Sequence, residues 1–83
     1  MTLFMDVHNS LPDGTTAADV AGAHAADLQV QERYDVRYLN YWVDDEGGKV
    51  FCLIEAPSAE AAHTVHREAH GLVADEIYPV AQG

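Results

Sequence analysis

Between Val36 and Ala56 the chain reads VRYLNYWV, then DDEGG, then KVFCLIEA. Two runs rich in aromatic and branched residues, separated by a short acidic and glycine-containing stretch, specify two antiparallel strands joined by a tight hairpin. A hairpin of this length cannot stand alone in water. It needs further strands beside it, or helices against one of its faces.

The rest of the sequence supplies both. LFMDVH alternates Leu3, Met5 and Val7 with Phe4, Asp6 and His8, the period of a half-buried strand. Pro12, Asp13 and Gly14 then make a turn. Thr16, with Asp19 three residues later, forms a capping box that predicts a helix from about Ala17 to about Gln31. After the hairpin, Pro57 and Ser58 open a second helix, which Gly71 ends as a left-handed cap. DEIYPV is a last short strand, and Pro79 confines it to a sheet edge. The order β-α-β-β-α-β is the split pattern of ferredoxin-like domains. The expected fold is therefore α+β: one domain over residues 1–83, a four-stranded antiparallel sheet of order 4-1-3-2, and two helices on one face.

With Leu3, Met5 and Val7 taken to face the helices, Phe4, Asp6 and His8 fall on the open sheet face with Tyr38, Asn40 and Trp42. A Phe, a Tyr and a Trp on one exposed sheet are too apolar for water, so a homodimer pairing the open faces is expected.

Charge narrows the function. Four Lys and Arg against 14 Asp and Glu give a formal net charge of -10. Phosphate backbones and anionic membrane surfaces require a positive field, so nucleic acid and membrane are excluded as partners and cations are favoured. The start, MTLFMDVHNS, has no basic region and carries Asp6 in its apolar run, so it does not read as a signal peptide. The single cysteine, Cys52, excludes an intrachain disulfide or a CxxC pair, and the expected location is cytoplasmic.

Three of the five histidines fall within HTVHREAH, residues 63 to 70. On a helical wheel centred on Val65, Ala62, Ala69, Leu72 and Ala61 form the apolar stripe. His66, His70 and His63 make a column at roughly 100° to 160° beside it. His66 and His70, at i and i+4, can share one metal ion; a solvated flank is the competing reading. HREAH differs from the zinc-protease motif HExxH, because Glu68 follows His66 by two positions and points away. Asp6 and His8, alternate residues of one strand, form a second pair of suitable ligands for nickel, zinc or cobalt. The topology brings them to the same end of the domain as His70. His24, between Val20 and Leu28 in the apolar arc of the first helix, reads as a core or interface histidine that Asp27 could orient from the next turn. Glu55, near the end of its strand, is a further candidate ligand or cross-strand partner. Cys52, in an apolar strand with no cation near it in sequence, reads as a buried structural thiol.

The segments MDVH, AHAADL, YLNYWVDDEGGKVFCLIEAPSAEA and HREAHGLVADEI together resemble a small actinobacterial family, formally a domain of unknown function, that includes a streptomycete nickel-binding protein. The resemblance spans nearly the whole chain. It implies a ferredoxin-like fold, a homodimer through the sheet, and nickel held by histidine and carboxylate side chains. Carried over by type, the implied metal residues are Asp6, His8, His66 and His70, with His24 and Glu55 as further positions; His63 is not supported.

The expected function is binding of a divalent transition metal, nickel foremost, with zinc, cobalt and copper open, for storage, buffering or delivery. Ligation requires neutral imidazole, so affinity should fall below about pH 6. An alternative is a small-molecule enzyme, monooxygenase- or isomerase-like, with a site between sheet and helices. Tyr38, Tyr41 and Trp42 would shape that site, and His8 or His24 would be its acid or base. A third reading is a dimerisation or stress-response module without a ligand.

Overall fold

The structure, a computed structural model, describes residues 1–83. Its elements run β1 (Thr2–His8), α1 (Ala17–Val30), a 3-10 turn (Gln31–Tyr34), β2 (Arg37–Asp44), β3 (Lys49–Ala56), α2 (Ala59–Ala69) and β4 (Glu76–Pro79). The four strands form one antiparallel sheet in the order β2-β3-β1-β4, which is the expected order read from the other edge. Pro79 lies on the edge strand, where its missing N–H costs no ladder bond.

Both helices start as the sequence specifies. Thr16 and Asp19 make the reciprocal bonds of a capping box, with Asp19 N donating to Thr16 Oγ1 and Thr16 N to Asp19 Oδ2. Ser58 caps α2 by accepting from Ala61 N, and Gly71 (φ 80°) follows its end in the left-handed region. Asp35 takes a similar conformation, φ 56°, where the 3-10 turn stops before β2. No helix is long and apolar enough to cross a membrane.

The inward side of β1 is the reverse of the expectation. Phe4, Asp6 and His8 are buried, and Leu3, Met5 and Val7 are only half-buried. Apolar alternation fails here because β1 carries its apolar set on the open face and two polar side chains inside, where other groups bond them.

Strand β2 departs in a second way. A register shift against β3 between Tyr38 and Asn40 interrupts the two-residue period, so Tyr38 pairs with Ile54, Tyr41 with Cys52 and Val43 with Val50. Those partners are core residues. Tyr38 and Tyr41 thus share the inner side, whereas Asn40 and Trp42 stay outside, with Trp42 50% exposed. Tyr38 is anchored across the core by donating its hydroxyl to Ala62 O of α2, at 2.9 Å.

The core is formed by Phe4, Val36, Tyr38, Val50, Cys52, Ile54 and Ala56 from the sheet side, closed by Val20 of α1 with Ala62 and Val65 of α2. Leu28, expected in the apolar arc of α1, is exposed; the fully buried positions of that helix are Val20 and Asp27. A buried aspartate on the core side of a helix needs partners.

Candidate metal centre

Those partners come from α2. His66 lies deep in the fold, 2% exposed, rather than at a solvated flank. Its Nδ1 is 2.9 Å from Asp27 Oδ1, and its Nε2 is 2.9 Å from Asp6 Oδ2. His70, one turn on, brings its Nε2 to 3.0 Å from Asp27 Oδ1 and 3.1 Å from His66 Nδ1. Three elements therefore converge: β1 supplies Asp6, α1 supplies Asp27, and α2 supplies His66 and His70.

His8 completes the neighbourhood. Its Nε2 is 3.6 Å from Asp6 Oδ1, and its ring meets that of His66 edge-on with centroids 5.0 Å apart. Asp6 Oδ1 is buried and has no hydrogen-bond partner, so one carboxylate oxygen at the heart of the cluster keeps unused acceptor capacity. The Cys52 thiol borders the same group. Burial, with the Asp6 carboxylate beside it, pushes its pKa far up and keeps it a neutral thiol, in accord with a structural cysteine.

The electrostatics follow from who faces whom. Burial works against a charged His66, but the hydrogen bonds to Asp27 and Asp6 outweigh it and raise the pKa to about 9. Burial likewise opposes ionised Asp27, yet the bonds from His66 and His70 leave its pKa below the ordinary carboxylate value. His8 goes the other way: burial lowers its pKa despite the attraction of Asp6. Without a metal, the cluster is an imidazolium held between two carboxylates.

The remaining predicted positions are not brought together with these. Glu55 lies on the open sheet face, where its Oε1 is 3.5 Å from Arg37 Nη1 of the neighbouring strand. His24 is on the helix side, but its ring stacks on Tyr41 with centroids 4.7 Å apart and makes no bond to Asp27. Asp27, read as an orienting group for His24, is instead the centre of the cluster. Its position seven residues after Val20 puts it on the same helix face, but that spacing alone does not tell a buried carboxylate from a solvated one. Glu68 is on the exposed side of α2, near Arg33, as its angular position required.

The donor set can hold a metal. Asp27 Oδ1, His66 Nδ1 and His70 Nε2 form a triangle with edges of 2.9, 3.0 and 3.1 Å. Ligands about 2.1 Å from an ion at right angles to one another are about 3.0 Å apart, whereas tetrahedral ligands are about 3.4 Å apart. The observed edges match the right-angled arrangement. They are also hydrogen-bond lengths, so protons can hold the same atoms that a metal would hold.

Residues 4–80 match the model of the family described as nickel responsive protein SCO4226-like. The crystal structure of SCO4226 from Streptomyces coelicolor A3(2) is similar to this chain at 42% sequence identity, covers 98% of each chain, and superposes with a TM-score of 0.89. No curated protein matches the chain. The chain belongs to the nickel-responsive SCO4226-like family.

Proposed function

We propose that the protein binds a divalent transition metal, nickel foremost, through Asp27 Oδ1, His66 Nδ1 and His70 Nε2, and that it serves in nickel storage, buffering or delivery. The triangle of these three atoms carries the reading. Two imidazoles and a carboxylate suit nickel, zinc, cobalt and copper alike, but right-angled spacing favours an octahedral or tetragonal ion over tetrahedral zinc. The family description agrees with nickel. A surplus of 10 negative charges draws cations toward the site.

Asp6 has a different part in this reading from the one its residue type suggests. A neutral imidazole has one lone pair. If His66 binds metal through Nδ1, its Nε2–H donates to Asp6 Oδ2, the carboxylate partner that fixes tautomer and ring orientation at many histidine–metal sites. His8 stands behind Asp6, with its Nε2 3.6 Å from the free Oδ1.

The functional unit is a homodimer through the open sheet face. Leu3, Met5, Val7, Phe51 and Leu53 are half-buried there, beside the half-exposed rings of Trp42 and Tyr78. This is a larger apolar face than the sequence-based expectation, which put Leu3, Met5 and Val7 on the other side.

Titration calorimetry of the metal-free protein with nickel tests the metal reading. Saturable binding at micromolar concentration or tighter is expected, with a loss of at least about 100-fold when His66 and His70 are both replaced by Ala. Absence of binding in the natural sequence, or undiminished binding in a folded double variant, would show the reading to be wrong.

A further inference from the structure

A cavity of ≈ 200 Å³ opens beside the metal cluster, between the inner face of the sheet and α1. Its walls are largely apolar: Leu11, Val20, Ala23, Tyr41, Val50 and Leu72. An apolar protein cavity of about 150 Å³ is enough to bind benzene, so this one has room for a single aromatic ring with a small substituent.

Five of the polar side chains of the lining are engaged. Thr15 Oγ1 donates to Pro12 O, Asp19 Oδ2 accepts from Thr16 N, and Asp27, His66 and His70 bond one another. His8, the Tyr41 hydroxyl, the Cys52 thiol and His24 make no such bond, and of these only His24 has a fully buried nitrogen or oxygen without a partner. Its ring lies against Tyr41, and its Nδ1 is buried with no hydrogen-bond partner. A buried imidazole nitrogen without a partner costs free energy unless a ligand satisfies it.

We propose that this cavity binds a neutral, phenol-sized aromatic, with its ring packed among Val20, Ala23, Tyr41, Val50 and Leu72 and its hydroxyl bonded to His24 Nδ1. A hydroxyl both donates and accepts, so it satisfies either tautomer of His24. The carboxylates of Asp19 at the rim and Asp27 at the floor, in a chain of net charge -10, disfavour an anionic head group. The cavity borders the metal triangle and shares Asp27, His66 and His70 with it, but the groups proposed to hold the aromatic, His24 and the apolar side chains, are not those that hold the ion.

Methyl-resolved NMR titration of the metal-free protein with phenol, toluene and benzoate tests this, whatever the result with nickel. Phenol should shift the Val20, Ala23, Val50 and Leu72 methyls and saturate with a Kd of about 0.1–1 mM, the range open to so few atoms. Toluene should bind about 3- to 10-fold more weakly for want of the hydroxyl, and benzoate more weakly still. His24→Phe should abolish the preference for phenol over toluene, and Ala23→Phe, which fills the cavity, should abolish binding of both. No saturable shifts up to about 10 mM phenol would overturn the proposal. So would shifts confined to the open-face Leu3 and Leu53 methyls, benzoate binding as tightly as phenol, or an unchanged phenol preference in His24→Phe.

Discussion

His66 holds the account together, because both of its ring nitrogens are taken by carboxylates from different elements. The two carboxylates are not equivalent. Asp27→Asn should cost at least about 100-fold in nickel affinity, because it exchanges an anionic ligand oxygen for a weakly donating neutral amide, whereas Asp6→Asn should cost about 10- to 100-fold, because it only loosens the imidazole. Titration calorimetry on the two variants reads the difference. Proton linkage makes a second prediction at this scale. With the His66 pKa raised to about 9, nickel must displace a proton throughout the neutral range. Affinity should rise by up to tenfold per pH unit from pH 7 to about 9, and roughly one proton should be released, measurable in buffers of different ionisation enthalpy. The simpler expectation of a loss only below about pH 6 rests on an unperturbed histidine, which His66 is not. For the metal-free fold the sign is opposite. A raised pKa stabilises the protein fully below pH 6.5, and that stabilisation disappears as pH climbs through about 9, so the melting temperature should fall over that window.

At the scale of elements, the fold was legible and the faces were not. The hairpin, both helix caps and the edge proline are local signals, each fixed by turn chemistry or a missing N–H, and each stands where the sequence puts it. Which side of a strand turns inward is a tertiary matter. In β1 the apolar set Leu3, Met5 and Val7 lost the interior to Phe4, Asp6 and His8, because Asp6 has a partner on α2 that no local pattern can reveal. In β2 one register shift put Tyr38 and Tyr41 on the same side, where strict alternation separates them. The His66–His70 pair was legible from its spacing, and MDVH from its alternation. Asp27 was not, because a carboxylate on a helix is ordinarily a solvated group, and only the packing of α1 against α2 makes it central. The cap and the cross-core anchor yield a stability prediction. Thr16→Ala and Tyr38→Phe should each destabilise the fold by about 1 kcal/mol in denaturant unfolding, the first through a lost cap and the second through a lost buried bond.

At the scale of the whole molecule, the two faces of the sheet differ in character. The inner face carries the polar cluster under two helices. The outer face carries Leu3, Met5, Val7, Phe51, Leu53, Trp42 and Tyr78 with no element of this chain over it. Trp42→Glu places a charge in the middle of that apolar face; sedimentation equilibrium should show a dimer for the natural sequence, as proposed, and a monomer for the variant. Nickel binding should survive the change, since Trp42 is on the other side of the sheet from the triangle. Anomalous scattering at the nickel edge from crystals of the nickel-loaded protein locates the metal. A peak in contact with Asp27 Oδ1, His66 Nδ1 and His70 Nε2 is expected, with His66 Nε2 still bonded to Asp6. A peak bounded instead by Asp6, His8 and Cys52, or no peak within the fold, would contradict the proposed site.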